Sequence, residues 1–94
     1  MKKPCVYIIS NPLHTTLYTG VTSNLIQRML QHRNHSFGGF SMRYNLTQLV
    51  HCEEFGTMEQ AIAREKQIKS WSRKRKDELI SAHNPMWKDL FQEE

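Results

Sequence analysis

The pattern of hydrophobic and polar positions at the start of the chain predicts two β-strands joined by a turn. Residues 5–10 are β-branched and aromatic, and residues 15–19 are again rich in strand formers. Asn11 and Pro12, which lie between these two runs, form a turn signal. The N-terminal stretch is therefore predicted to form a β-hairpin.

The register of this hairpin decides where its tyrosines lie. A four-residue turn would pair Ser10 with Thr15 and would place Tyr7 directly opposite Tyr18. Because strand side chains alternate with a period of two, both phenols would then lie on one face of the sheet.

A helix is predicted directly after the hairpin. Gly20 ends the second strand, and Thr22 or Ser23 can cap the helix that follows. Arg28 and His32 are spaced i and i+4, so they lie together along one border of the apolar face. That face is expected to consist of Leu25, Ile26, Met29 and Leu30. This convergence of polar groups is typical of a functional site, but it also fits a structural hairpin with packed tyrosines and a solvated arginine.

The middle of the chain predicts a connection followed by a third strand. Residues 33–45 contain Gly38 and Gly39 without the sequence of a phosphate-binding P-loop, and a short helical turn is expected over residues 41–44. The aromatic side chains of this connection can either stack on bases or cover the core. Residues 46–55 are β-prone around Leu49 and Val50 and predict the third strand.

A second helix, over residues 57–70, carries a carboxylate at an unexpected position. Thr57 and Gln60 form a capping box at its start. Glu65 falls near the centre of the apolar face, where an ionised and unpaired carboxylate is costly, so it is a candidate site residue. The structural alternative is an ion pair with Lys69 at i+4, which is worth only a few tenths of a kcal/mol. The apolar face itself is expected to consist of Met58, Ala61, Ile62 and Ile68.

The last part of the chain predicts a third helix and a tail that packs on the core. Ser72 can cap a helix that runs to about residue 82 and buries Leu79 and Ile80. The helix should stop at Asn84, because the following proline disfavours helical backbone at that residue. Apolar anchors of the tail are expected at Trp87, Leu90 and Phe91.

Length and composition fit one small domain over residues 1–94. Hydrophobic residues make up 38% of the 94 residues, which suffices for a modest core. No apolar run approaches the roughly 20 residues of a membrane span, and the N-terminus lacks the apolar core of a signal peptide. Cys5 and Cys52 lie in predicted strands without CxxC spacing, which favours buried thiols in a reducing compartment. We therefore expect a cytoplasmic protein with no membrane partner.

Positive charge is concentrated in one segment of the chain. The formal net charge is +4, and residues 66–76 contain six basic and no acidic side chains. Such a segment is often only a solvated face, but its density favours a polyanionic partner, because cations near phosphates release condensed counterions. The predicted nucleic-acid-binding residues are Lys66, Lys69, Arg73, Lys74, Arg75 and Lys76.

The hairpin and the helix after it resemble the signature of the GIY-YIG nucleases. The resemblance lies in Tyr7 of Cys5-Val6-Tyr7, Tyr18 of Tyr18-Thr19-Gly20, and Arg28 eight residues after that glycine. Neither tripeptide is verbatim, because Cys5-Val6 replaces Gly-Ile and Thr19 replaces Ile. The two tyrosines, the second glycine and the spacing to the arginine are kept.

The second half of the chain strengthens this resemblance. Residues 61–69 are similar to the part of GIY-YIG domains in which a glutamate on a helix binds the metal, and that glutamate matches Glu65. Residues 71–90 are similar to a branch of small, stand-alone bacterial proteins that are akin to the N-terminal nuclease domain of the excision-repair incision subunit. The resemblance implies a small α/β (α+β) domain, with a three-stranded, largely antiparallel sheet flanked by helices.

Catalytic roles follow from the resemblance. It implies that Glu65 holds one Mg²⁺ (or Mn²⁺), which keeps several waters. Arg28 would clamp the scissile phosphate. The group that activates water stays open among Tyr7, Tyr18 and His32, of which the histidine has the better intrinsic pKa.

Two further positions are informative. Asn84 resembles an asparagine that lies near the metal in relatives, so it is also a candidate catalytic residue. Val21 stands where the excision-repair relatives carry a lysine, so one auxiliary positive charge is missing there.

The resemblance therefore implies a metal-dependent endonuclease that hydrolyses DNA phosphodiester bonds, in repair or recombination. The first alternative is a non-catalytic nucleic-acid-binding module that uses residues 66–76. The second is a protein-interaction domain that uses Trp87 and the aromatic side chains of the connection over residues 33–45. We expect a monomer or weak dimer that either recognises DNA shape or is targeted by a partner protein.

Overall fold

The computed structural model describes residues 3–34 and 43–91. In this part of the chain, three strands and three helices of more than two turns follow one another in the order β-β-α-β-α-α. The predicted three-stranded antiparallel sheet flanked by helices is confirmed. The glycine pair of the predicted connection and the start of its helical turn lie outside the described residues. The elements are β1 (Cys5–Ser10), β2 (Leu17–Thr22), α1 (Leu25–Arg33), β3 (Gln48–Glu54), α2 (Met58–Lys69) and α3 (Arg73–His83).

Strand β1 lies in the middle of the sheet and pairs antiparallel with both neighbours, in the order β2-β1-β3. All six of its residues are buried, which agrees with its β-branched and aromatic composition. Its two faces meet different helices. One face packs with α2 and α3, and the other packs with α1. The site described below depends on residues from both sides of this sheet.

The predicted hairpin register is wrong by two residues. Ser10 pairs with Leu17, so Tyr7 lies opposite Gly20 and Tyr18 lies opposite Ile9. The loop therefore has six residues instead of four. Because a two-residue shift preserves the alternation of side chains, the two phenols still share one face of the sheet.

The longer loop is held by the side chain of Asn11. Its Oδ1 accepts hydrogen bonds from the backbone N–H groups of Thr15 and Thr16, at 3.0 and 2.9 Å. Its Nδ2 donates to the hydroxyl of Thr15 at 2.7 Å. His14 adopts a left-handed backbone conformation with φ of 58°. These local bonds stabilise the six-residue loop and fix the register of the strands.

Helix α1 is rotated relative to its predicted apolar face. Met29 and His32 are buried, whereas Ile26 and Leu30 are 49% and 36% exposed. The prediction was wrong for these two residues, because the helix docks along the line of Met29 and His32 instead. Its cap is also displaced by one residue from the prediction, since the Asn24 side chain accepts from Gln27 N–H at 3.2 Å.

The caps of the other two helices are as predicted. The Thr57 hydroxyl accepts from Gln60 N–H at 3.2 Å, and the Ser72 hydroxyl accepts from Arg75 N–H at 3.2 Å. Cys5 is buried, but Cys52 is exposed, which corrects the expectation of two buried thiols.

Residues 84–91, here called the C-terminal strap, cover the outer edge of β3. Leu90 N–H donates to Leu49 C=O at 2.7 Å, and Leu49 N–H donates to Asp89 Oδ1 at 3.1 Å. Arg33 forms an ion pair with Asp89 and so ties the strap to α1. Leu90 is 47% exposed and is thus held by its backbone, not by the side chain expected to anchor it.

Trp87 and Phe91 do pack against the two cores, as the sequence predicted. Within the described ranges, none of the helices has both the length and the apolar character needed to span a bilayer.

Candidate active site

Three aromatic rings meet where the hairpin faces helix α1. The ring centroids of Tyr7 and Tyr18 are 6.3 Å apart, and His32 lies 5.7 Å from the first and 5.9 Å from the second. Tyr7 comes from the central strand, Tyr18 from the edge strand and His32 from the last turn of the helix. The structure therefore brings together the three residues that the sequence proposed as candidates for activating water.

Gly20 is required for this packing. An ideal Cβ built at this position would lie 2.5 Å from the phenol oxygen of Tyr7 and 2.6 Å from its Cζ. A heavy atom there would overlap the ring, so only glycine lets the Tyr7 ring occupy this position next to β2. Gly20 is the second glycine of the motif, and its steric role is explained by its position opposite Tyr7 in the paired strands.

The hydroxyl of Tyr7 has two side-chain partners on helix α1. Its hydroxyl oxygen lies 3.1 Å from His32 Nε2, and it also has a side-chain hydrogen bond with Arg28. A guanidinium can only donate, so the phenol oxygen accepts from Arg28 and is free to donate its own hydrogen to His32. This direction requires that the histidine is neutral and protonated on Nδ1.

The electrostatics of the cluster favour that neutral state. Burial lowers the pKa of His32 to about 4, and the positive charge of Arg28 acts in the same direction. Burial raises the pKa of Tyr7 well above its usual value, and Tyr18 adds to this, whereas Arg28 opposes it. At neutral pH, Tyr7 is therefore a phenol and His32 an uncharged imidazole.

The three candidates differ in their access to solvent. Tyr7 is fully buried and His32 is only 3% exposed, but Tyr18 is half-buried. Tyr18 is consequently the ring of this cluster that a substrate could reach without any rearrangement.

Glu65 lies on the inward side of α2, between the buried residues Ala61 and Ile68. Its side chain is 14% exposed, and its Oε2 lies 2.9 Å from the Nζ of Lys69. The structure shows two things about this residue, and its role as a site residue stays a prediction. The carboxylate faces inward, and it is paired with the lysine one turn later.

Lys69 links Glu65 to the tyrosine cluster. Its Nζ lies 5.7 Å from the centroid of the Tyr18 ring while it also contacts Glu65. Helix α2 packs mainly against the opposite face of the sheet, with Val6 and Ile8. The contact is possible because β2 is the edge strand, so a long side chain at the end of α2 can reach past it.

The ligands available for a metal are few. The described residues contain no group of three or more histidine, cysteine, aspartate or glutamate side chains that could hold an ion. A single carboxylate such as Glu65 fits Mg²⁺, which retains most of its waters and takes further ligands from substrate phosphates. It does not fit zinc, which needs three or four protein ligands.

Asn84 has a structural role. Its Nδ2 donates to Val50 C=O at 3.1 Å and to Lys88 C=O at 2.8 Å, and its Oδ1 accepts from Lys88 N–H at 3.1 Å. Both amide hydrogens are therefore committed to backbone carbonyls, and no described contact joins Asn84 to the predicted catalytic residues. It joins the C-terminal strap to β3.

The basic side chains of residues 66–76 (the basic segment) have different surroundings, and the two arginines contact other parts of the protein. Arg73 donates to Asp77 at 2.7 Å and to the carbonyls of Thr15 and His14 at 3.0 and 2.6 Å, so it clamps the hairpin loop onto α3. These bonds give its guanidinium a structural role, and the expectation that it binds nucleic acid stays a prediction. Arg75 stacks on Trp71, with its Cζ 4.2 Å from the ring centroid. Four of the other basic residues are exposed or partly exposed, namely Lys66, Lys69, Lys74 and Lys76.

Two features of the site could not be read from the sequence pattern. The contact of Lys69 with Tyr18 depends on how α2 crosses the sheet edge, and the only sequence signal was its i+4 spacing from Glu65. Thr19, which replaces the family isoleucine, is 4% exposed, and its hydroxyl has no hydrogen-bond partner in the described part of the chain.

The sequence is similar to a family model and to several known proteins. A family model described as the GIY-YIG catalytic domain matches residues 3–78. A UPF0213 protein of Natronomonas pharaonis is 36% identical over 76 residues, which cover 81% of this chain and 88% of the relative. A UPF0213 protein of Staphylococcus saprophyticus is 35% identical over 81 residues, which cover 86% of this chain and 98% of the relative.

A solved structure has the same fold. The solution NMR structure of a UPF0213 protein from Bacillus halodurans matches with a TM-score of 0.60 and 24% sequence identity. The match covers 93% of this chain and 92% of that one.

Proposed function

The chain belongs to the GIY-YIG catalytic domain family, and from this premise we propose that it is a metal-dependent endonuclease that hydrolyses phosphodiester bonds in DNA. The observation that carries the proposal is the continuous set of contacts from His32 through Tyr7 and Tyr18 to Lys69 and Glu65. This set joins an imidazole, two phenols, an ammonium group and a carboxylate.

Arg28 is proposed to bind the scissile phosphate. Its guanidinium already donates to Tyr7, so it is held at the cluster before substrate arrives. A planar fork of donors suits phosphate oxygens and remains charged at any physiological pH. The same positive charge would stabilise the negative charge that develops on the phosphoryl oxygens.

Tyr18 is proposed to orient the attacking water. It is the more accessible of the two motif phenols, and its ring packs against Tyr7 and His32. Tyr7 is a poor base by itself, because burial holds its pKa high. Its hydrogen bonds with Arg28 and His32 instead make it a positioning residue for the guanidinium and for the neighbouring ring.

Glu65 would hold a divalent cation, Mg²⁺ or Mn²⁺, whose charge would assist departure of the leaving oxygen when it is bound. The carboxylate suits this role because it faces inward and lies near the phenols through Lys69. A single protein ligand predicts weak binding in the absence of substrate phosphate.

DNA is proposed to lie along the exposed basic side chains at the end of α2 and the start of α3. Arg75 is prearranged by stacking on Trp71, and Lys66 and Lys74 are exposed. Each of these cations can neutralise a phosphate and release counterions.

We also propose a role in DNA repair or recombination in the cytoplasm, as a monomer or weak dimer that a partner protein could target. The free thiols of Cys5 and Cys52 are compatible with a reducing compartment.

The test is a cleavage assay on duplex, nicked and branched DNA with Mg²⁺ or Mn²⁺. We expect nicking that requires the metal and stops when a chelator is added. DNA binding without cleavage of any of these substrates would instead favour the non-catalytic binding module. Cleavage that persists in excess chelator would contradict the proposed metal requirement.

A further inference from the structure

The position of Lys69 bears on what happens at Glu65 when this carboxylate binds a divalent cation. We propose that Lys69 is an internal counter-ion, which holds Glu65 in the cation-free protein and moves to a substrate phosphate when a divalent cation takes the carboxylate. This inference rests on the proposed function, because it concerns the same site. It assigns Lys69 a role that differs from those of the other lysines in the basic segment.

The first support is the contact between the two side chains. Lys69 Nζ lies 2.9 Å from Glu65 Oε2, and the carboxylate side chain is only 14% exposed. An inward carboxylate needs a positive partner, because burial of an unpaired charge is costly. In the cation-free protein the lysine supplies that partner.

The second support is the location of the ammonium group. It lies 5.7 Å from the Tyr18 ring centroid, so the positive charge is already at the phenol that we propose to meet the substrate. The lysine side chain is 48% exposed, and its four-carbon stem has rotatable bonds. It can therefore leave Glu65 and still remain beside Tyr18.

The replacement of Lys69 by a divalent cation on Glu65, here called the exchange, follows from the charges of the groups. An ammonium and a divalent cation repel each other and compete for one carboxylate. With Lys69 in place, the pair with Glu65 is neutral. With a divalent cation on Glu65 and Lys69 released, the local charge becomes +2, which a phosphate backbone would neutralise. Cation binding and DNA binding should consequently strengthen each other.

Lys66 provides a matched control. It lies on the same helix, is exposed, and its side chain makes no described contact with Glu65 or Tyr18. Lys69→Met and Lys66→Met remove the same charge from nearly the same place. Lys69→Arg keeps the charge and checks that any effect of Lys69→Met is electrostatic.

The first experiment measures Mn²⁺ binding without DNA, from the electron paramagnetic resonance signal of free Mn²⁺ at fixed ionic strength. We expect Lys69→Met to bind Mn²⁺ about two- to five-fold more tightly than the parent protein, which is the range of a surface ion pair that no longer competes. Lys66→Met should show a smaller gain, and Lys69→Arg should resemble the parent.

Equal gains in Lys69→Met and Lys66→Met, or weaker binding by Lys69→Met, would overturn the inference and leave the proposed nuclease function standing. Absence of Mn²⁺ binding in all variants, both without DNA and with a phosphorothioate duplex that completes the ligand shell, would overturn both the inference and the proposed metal requirement.

The second experiment tests the transfer to phosphate through the salt dependence of binding to a cleavage-resistant phosphorothioate duplex. Each phosphate contact contributes about −0.9 to the slope of log affinity against log salt concentration. Lys69→Met should lose about one such contact with Mn²⁺ present and none with a chelator. Lys66→Met should change the slope equally in both conditions. An equal change for Lys69→Met in both conditions would overturn the proposed exchange.

Discussion

Lowering the pH should destabilise the folded protein through His32. Its pKa is about 4 in the folded state, because the ring is buried and lies near Arg28, whereas the usual value is 6.5. Between these two values the unfolded chain binds a proton that the folded protein does not. The stability that His32 contributes is therefore fully present above about pH 6.5 and is lost as the pH falls towards 4.

The size of this effect follows from the two pKa values. The contribution of His32 to the free energy of unfolding should fall by about 2 kcal/mol between pH 7.5 and pH 5. Burial would raise the pKa of Glu53, but hydrogen bonds from Arg64 and His51 hold it below its usual value of 4.5, so its own loss occurs at lower pH.

Urea unfolding at several pH values between 5 and 7.5, with chelator present, measures this dependence. The variant His32→Gln should be less stable than the parent at pH 7.5, but its stability should change much less with pH. His83→Gln removes an exposed histidine and should keep the slope of the parent protein. A parent slope that persists in His32→Gln, or that disappears in His83→Gln, would refute the assignment of a buried neutral imidazole.

Three substitutions test other parts of the account. Gly20→Ala would place a carbon 2.5 Å from the phenol oxygen of Tyr7, so the ring must move. Calorimetry should show a loss of about 1–3 kcal/mol in the free energy of unfolding, and cleavage should be slower. Unchanged stability and activity would disprove the steric role. Thr19→Val removes a buried hydroxyl without a described partner, so urea unfolding should show a gain of about 1 kcal/mol, and a loss would mean that the hydroxyl is bonded. Asn84→Ala removes three hydrogen bonds of the C-terminal strap and should cost about 2–3 kcal/mol in the same assay, whereas a neutral result would contradict its structural role.

Much of the fold could be predicted because periodicity reports which face of an element is buried. The alternation of β1 and β2 placed Tyr7 and Tyr18 on one face even though the predicted register was wrong, since an even shift keeps that face. The inward position of Glu65 followed from the helical period of its neighbours.

Other features depend on contacts that no local pattern contains. The length of the hairpin loop is set by the Asn11 side chain, which bonds to Thr15 and Thr16. Arg73 looked like a phosphate ligand in a basic run, but tertiary packing commits it to the hairpin loop. In the same way, Asn84 is committed to the edge of β3.

The most direct test of the proposed nuclease is the cleavage rate of Glu65→Gln under single-turnover conditions with saturating Mg²⁺. Glu59→Gln is the matched control, because Glu59 is exposed in the first turn of the same helix. We expect Glu65→Gln to lose cleavage by about 100-fold or more while it still binds DNA, and Glu59→Gln to cleave like the parent protein. Cleavage by Glu65→Gln at the parent rate would contradict the central claim that this carboxylate holds the catalytic cation.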